Sequence, residues 1–298
     1  MTNLNKVIST TRKLIDLPYN RFNLENCFAV LHENELNPVT IDTAKNLPIK
    51  LMSGDNFYSR IITSNYFPNK KRNIYIIGKG VLFDSGGYNL KTGREGPYGM
   101  HDDKAGMIIA LNVANYVKGN ISAFCPCTTN FLHNSKIIPG DIIKIGKKEV
   151  LVNNTDAEGR LLLAEAISTL NVSKNDIIIS IATLTGCCEY AVDKATGVFS
   201  DNDELVRKYA DASHEAQELA WCLPMFDYMN DYYKKQPIKN SDDRIKAGAS
   251  QGAVFLKQFC KYPNNFIHLD IARSAFDDEG RANGVPVKTL IKFIKKLK

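Results

Sequence analysis

Several things are scarce in this chain, and each shortage removes a class of function. Its 298 residues contain only five histidines, at 32, 101, 133, 214 and 268, and none stands in the HExxH spacing that builds a helical zinc site. Seven cysteines, an odd number that includes the adjacent Cys187 and Cys188, do not make a disulfide framework in a chain this long. A reducing, cytoplasmic setting is therefore expected. Cys125-Pro-Cys127 has no second pair at zinc-finger spacing and reads as structural. Nowhere do 18 apolar residues follow one another, and the first twenty residues contain no apolar stretch of signal-peptide length, so no membrane partner is expected. The sequence lacks a GxGxxG run. In Gly78-Lys79-Gly80 a glycine stands where a phosphate-binding loop requires serine or threonine, which argues against a nucleotide fold.

What is present is ordinary for a soluble globular protein: 44% apolar and 23% charged residues, without repeats or a low-complexity linker. A single domain is the simplest division. The net charge of +6 is spread along the chain except for the final IKFIKKLK, which reads as a solvated helix face, with nucleic acid as the minority reading. Strand and helix signals alternate. NIYIIG (73–78), VLFDS (81–85), ISAFCPCTTNFL (121–132), DIIISIATL (176–184) and NFIHLDIA (265–272) read as strands. KAGMIIALNVANYVKG (104–119), a polar stretch from about 203 to 220, SQGAVFLKQF (250–259) and PVKTLIKFIKKLK (286–298) read as helices. Such alternation predicts an α/β fold, a mixed and mostly parallel β-sheet covered by helices on both faces.

Ligands of an open α/β sheet collect beyond the carboxyl ends of its strands. That rule singles out Asp84 after VLF, Asp102 and Asp103 where a helix opens, and Asp156 with Glu158 after VLVNN. Residues at i and i+2 do not share a helix face, but a bend, which Gly159 would permit, can aim both at one point. Carboxylates gathered in a crevice require a counter-charge, and a divalent metal supplies one. On spacing alone, Asp-x-Glu is more often an ordinary structural pair.

The combination of motifs is more specific. NTDAEGR (154–160), GKGVLFDSGGYNLK (78–91), ATLTG (182–186), GASQGAVFLKQF and HLDIA (268–272) occur in the order seen in the leucyl aminopeptidase family of two-metal cytosolic enzymes, which the chain resembles over about 10–295, beginning with TTRKLIDLPYNRFN. The resemblance implies one catalytic domain over 1–298, with 1–45 its opening helical segment and the usual accessory N-terminal domain absent. It implies a hydrolase: a metallo-aminopeptidase that removes the N-terminal residue of peptides bearing a free amine, through a hydroxide bridging two metals. Carried over position by position, the metal ligands are Lys79, Asp84, Asp102, Asp156 and Glu158, and the metals two divalent ions, Zn²⁺ or Mn²⁺, with Mg²⁺ or Co²⁺ also admitted. Lys79 can ligate only as a neutral amine. The resemblance further gives Lys91 the stabilisation of the oxyanion, Arg160 a bicarbonate ion acting as general base, and Thr183, Leu184 and Gly186 the walls of the pocket for the first side chain, although Leu184 reads equally as strand-end packing. A homo-oligomer, a hexamer in relatives, is the implied assembly.

One local departure stands out. HDDKAGM sets Asp103 and Lys104 beside Asp102 where relatives have a Met-Gly-Gly-like run, and the count from Lys91 favours Asp102 as the ligand. The alternative, a non-catalytic member acting as a nucleic-acid-binding or scaffolding protein, is disfavoured because no ligand position is lost and +6 is a weak charge for binding nucleic acid.

Overall fold

A computed structural model of the chain describes residues 3–41, 48–52, 60–64, 72–93, 96–133 and 135–298. Of the expected opening segment, residues 1, 2 and 42–45 lie outside the described residues; within the remainder are helices Leu4–Asp16 and Cys27–Glu33 and a strand, β1 (Val39–Ile41). The other strands are β2 (Arg60–Ser64), β3 (Ile74–Gly78), β4 (Gly80–Asp84), β5 (Ile121–Asn130), β6 (Ile142–Ile145), β7 (Lys148–Leu151), β8 (Ile177–Ala182), β9 (Thr196–Phe199), β10 (Ala220–Cys222), β11 (Ile238–Lys239) and β12 (Phe266–Asp270).

Among the described residues, one sheet runs in the order β1-β2-β5-β3-β8-β12-β9-β10, with β4 added alongside β5. Its centre is parallel: β5 with β3, β3 with β8, β8 with β12. The antiparallel pairs are β1–β2, β2–β5 and β12–β9. The fold is therefore α/β with a mixed, mostly parallel sheet. β6, β7 and β11 form a separate three-stranded sheet.

Central strands covered on both faces must be apolar at every position, and β3 and β8 are buried throughout. Because side chains alternate across a strand, these runs feed two cores. Ile74, Ile76, Ile177, Ile179 and Ile181 join the core beneath helices Leu4–Asp16, Ala105–Val117, Asp203–Ala216 and Val287–Leu297. Tyr75, Ile77 and Ile178 join the core beneath helices Glu158–Thr169 and Gly248–Lys257. Two glycines bring helix Ala105–Val117 unusually close to the sheet: a Cβ at Gly106 would lie 2.3 Å from the Ile181 carbonyl oxygen, and one at Gly78 would lie 2.4 Å from that of Gly106. That contact aligns the start of the helix with the carboxyl ends of β3 and β8, where Lys79 and Thr183 follow.

One element departs from the sequence reading. The helix after residue 203 stops at Ala216, with Gln217 left-handed at its end, and Ala220–Cys222 is the strand β10, parallel to β9. In the C-terminal helix the basic face is partly neutralised, since Lys292 and Lys296 both pair with Glu215 at 3.5 and 2.7 Å.

Candidate active site

Consecutive parallel strands deliver their following residues to one edge of the sheet. Lys79 comes directly after β3, Asp84 ends β4, Asn130 ends β5, Thr183 and Leu184 follow β8, and Asp270 ends β12. Glu158 is the first residue of helix Glu158–Thr169, where the helix dipole favours a negative charge. All ten residues to which the resemblance gave a role, Lys79, Asp84, Lys91, Asp102, Asp156, Glu158, Arg160, Thr183, Leu184 and Gly186, line one cavity of about 420 Å³, as does Asp103.

Within it two lysines each join two acids. The Lys79 ammonium lies 2.6 Å from Glu158 Oε1 and 2.7 Å from Asp103 Oδ2, and donates to the Thr183 carbonyl at 3.1 Å. The Lys91 ammonium lies 2.6 Å from Asp156 Oδ1 and 2.9 Å from Asp84 Oδ2. The acid brought to Lys79 is thus Asp103, where the count from Lys91 favoured Asp102. The turn explains the difference. Met100–Asp102 forms a single 3₁₀ turn, after which the Asp103 carbonyl accepts from the amide of Val81 in β4, anchoring residue 103 against the strand. The Thr183 hydroxyl donates to Asp103 Oδ1 at 2.6 Å and fixes its orientation. Asp102 remains at the cavity wall.

The loops that carry these groups are laced together by residues the sequence reading passed over. Thr155 Oγ1 donates to the Gly86 carbonyl and accepts from the Asn89 amide, while the Thr155 amide donates to Asn89 Oδ1. Asn130 donates both to Asp84 Oδ1 and to the Thr155 carbonyl, bridging the first acid to the loop of the third. Asn240, fully buried, accepts from the amides of Asn153 and Asn154, donates to the carbonyls of Asn154 and Ala157, and receives Arg160 Nη1 on its own carbonyl at 2.8 Å. No sequence signal marks Asn240, which stands 80 positions from Arg160. For Asn130 and Asp270, a polar residue closing an apolar strand run was the available cue. The Asp270 carboxylate accepts from the Leu184 amide and the Thr185 hydroxyl.

Gly159 has a different role from the one its sequence position suggested. It lies inside the helix, not at a bend, and a Cβ there would lie 2.8 Å from Lys79 Cε.

Electrostatically the site is acid-rich. Four carboxylates, of Asp84, Asp103, Asp156 and Glu158, face two ammonium groups. Burial raises the pKa of Asp103, Glu158 and Asp156 above the usual carboxylate range. Burial lowers that of Lys79, but the charges of Asp103, Glu158 and Asp84 outweigh it and hold the proton on. Lys91 is likewise raised, with Asp84 and Glu158 overcoming its burial. Asp103 Oδ2, Asp156 Oδ1 and Glu158 Oε1 are buried with, among the described residues, only those lysines to satisfy them, and oxygens of Asp84, Asp156 and Glu158 all come within 4.8 Å of one another. An excess of negative charge with under-satisfied oxygens is the donor set that a divalent cation fits. On the same cavity, Arg160 is buried; its Nη1 is taken by Asn240 and Gln251, Nη2 has one long 3.5 Å contact to the Gly248 carbonyl, and Nε has no hydrogen bond among the described residues.

Fold and site together define an α/β protein with a carboxylate–lysine cluster suited to cations at the carboxyl ends of its central strands. Comparison with known proteins narrows the class: residues 12–291 match the model of the cytosol aminopeptidase family, catalytic domain, and the chain belongs to that family. A probable cytosol aminopeptidase of Prochlorococcus marinus is 33% identical over 261 residues, which cover 82% of this chain and 52% of the relative. One from Gloeothece citriformis is 36% identical over 242 residues, 75% of this chain and 48% of that protein. The chain spans about half the length of these relatives. Among solved structures, the bottromycin maturation enzyme BotP in complex with Mn superposes with a TM-score of 0.83 at 22% identity, over 98% of this chain and 70% of that one, a likeness of fold. No helix among the described residues is long and apolar enough to cross a membrane.

Proposed function

We propose that the chain is a metal-dependent aminopeptidase of the leucyl type, which hydrolyses the bond after the first residue of a peptide. The observation that carries this reading is the convergence of Lys79, Asp84, Asp103, Asp156 and Glu158 on one cavity together with Lys91 and Arg160. In this reading the first five would hold two divalent cations, zinc or manganese, with Asp103 in the place first given to Asp102, and Lys79 would release its proton to solvent on metal binding, the cations replacing the ammonium as counter-charge to the acids. Bound there, such ions supply Lewis-acid charge, lowering the pKa of water toward neutrality and offsetting charge that develops on a carbonyl oxygen.

The remaining roles belong to the chain's own residues. Asp156, whose side chain is one-third exposed to the cavity, receives the substrate's free α-amine, which confines cleavage to the first residue. Lys91, held between Asp84 and Asp156 with its side chain 21% exposed, is a fixed cation that stabilises the oxyanion. Arg160, whose side chain lines the cavity, is given a bicarbonate ion, which a planar guanidinium suits and which would accept the proton of the attacking water. Thr183, Leu184 and Gly186 wall the space for the first side chain. Cytosolic location and assembly as a homo-oligomer, a hexamer, complete the reading, and sedimentation of the purified protein checks the assembly.

The test is hydrolysis of leucine p-nitroanilide with and without added Mn²⁺ or Zn²⁺, beside the Glu158→Ala variant. Metal-dependent release of the chromophore by the wild type and its near-total loss in the variant are expected. Equal rates from the two proteins would sink the assignment.

A further inference from the structure

Beyond Met100 and Asp102 the site cavity adjoins a second one. These two residues line both, and the second cavity, of about 910 Å³, extends over Tyr19, Phe83 and Tyr98 to Asp278 and Glu279. Its chemistry differs from that of the first. Tyr19 and Phe83 present rings packed edge to face at 6.0 Å and backed by Phe131, which stacks on Phe83 at 5.6 Å, so the aromatic wall is held in place from behind. Tyr98, also on the lining, is 83% exposed.

The charged groups on the lining are acids. Asp278 and Glu279 are paired to Lys194, Arg273 and Arg281, all of which reach them from outside the cavity; among the described residues no lysine or arginine lines it. Asp102 differs from both. Although mostly buried, it makes no ion pair and no side-chain hydrogen bond to another described residue, Lys104 and Lys79 acting on it only through space, and it lines both cavities. A carboxylate left without a partner beside aromatic faces is the arrangement that attracts a cation borne on an apolar stem: the stem covers the rings and Met100, and the positive head meets ring face and carboxylate.

We propose that this second cavity continues the space for the first side chain past Met100 and Asp102, beyond the walls formed by Thr183, Leu184 and Gly186, and takes the basic end of a long side chain, so that peptides whose first residue is lysine or arginine are preferred. The inference deepens the aminopeptidase reading and rests on it for the word substrate. The site itself is tested by binding.

Lysinol and norleucinol share the free amine and cannot be hydrolysed; they differ chiefly by the terminal ammonium. Calorimetric titration of each into the Mn²⁺-loaded protein is expected to show lysinol binding about tenfold more tightly, the size of one cation–π or carboxylate contact removed from water. Asp102→Asn keeps the shape and removes the charge, and should bring the two affinities together. Tyr98→Ala, at an exposed ring whose loss does not threaten folding, should reduce the preference about threefold, a surface-exposed cation–π contact being the weaker case. Equal affinity of the two ligands for the wild type, or a preference undiminished in both variants, would overturn the proposal. Peptide hydrolysis is read separately. Lysinol preference without hydrolysis of any peptide defeats the aminopeptidase reading and leaves the cation site standing; hydrolysis without that preference does the reverse.

Discussion

Lys79 packs directly on Gly159. A methyl group at 159 would lie 2.8 Å from Cε, 2.9 Å from Cδ and 3.0 Å from Nζ of the lysine, closer than real side-chain carbons approach. The glycine in the helix leaves room for the lysine that follows β3, and the ammonium reaches Glu158 and Asp103 across that space.

Gly159→Ala separates this contact from helix stability. Alanine is favoured over glycine in a helix interior by about 1 kcal/mol, so propensity alone would stabilise the variant. Displacement of Lys79 should instead cut kcat/KM on leucine p-nitroanilide by about a hundredfold or more, as expected when a group at the reacting centre is misplaced. Circular dichroism should show the helical content kept. An active variant would show that Lys79 can sit elsewhere.

Asp103 and Asp102 are adjacent, yet only Asp103 touches Lys79 and Thr183. Asp103→Asn should lower the metal content of the purified protein by at least one ion per chain, measured by elemental analysis. Asp102→Asn should retain both ions. The opposite pattern would return the ligand role to Asp102.

Lys104 is fully buried, and its ammonium donates to the carbonyls of Ile15, Leu17 and His101 at 2.8, 2.9 and 2.5 Å. The end of helix Leu4–Asp16 is thereby tied to the turn carrying Asp103. Lys104→Met matches the length of the stem and leaves three carbonyls without their donor. A loss of about 2–4 kcal/mol is expected from the denaturant midpoint, the range for stripping a partner from buried polar groups.

Glu165 lies on the same helix as Glu158 and caps a different segment: its Oε2 accepts from the Ile49 amide at 2.9 Å, while Oε1 is buried without a hydrogen bond among the described residues. Burial pushes its pKa up to about 8 from the ordinary 4.5, with the Ile49 amide and the Lys50 charge opposing. The folded protein thus binds this proton more tightly than the unfolded chain does. Its contribution to stability is whole below about 4.5, declines as pH rises, and is gone by about 8. Glu165→Gln keeps an acceptor for Ile49 and has no proton to lose. The variant should gain stability over the wild type as pH is raised from 5 to 9, by about 1 kcal/mol or more, one pKa unit being worth about 1.4 kcal/mol. Parallel stability–pH curves for the two proteins would refute this.

Much of this was legible before any coordinates. β3, β5, β8 and β12 announced themselves because strands buried on both faces must be apolar throughout, and helices Ala105–Val117 and Val287–Leu297 because their patterns ran to helical length. β10 was hidden: Ala-Trp-Cys is three residues long, partly exposed, and joined without a break in pattern to a real helix. The site motifs were readable because Lys79 through Lys91 and Asp156 through Arg160 are each contiguous in the chain.

The amino-acid sequence by itself determined the class of fold, the strand ends at which chemistry collects, and the residue types gathered there, since all three depend on local periodicity and on short motifs. Only the tertiary structure decided which of two neighbouring aspartates meets Lys79, that Gly159 makes room for a side chain 80 positions away, and that Asn130 and Asn240 bind the site loops together. Those are contacts between elements distant in the chain. Their geometry is set by how closely helices approach the sheet, a quantity that no spacing along one segment records.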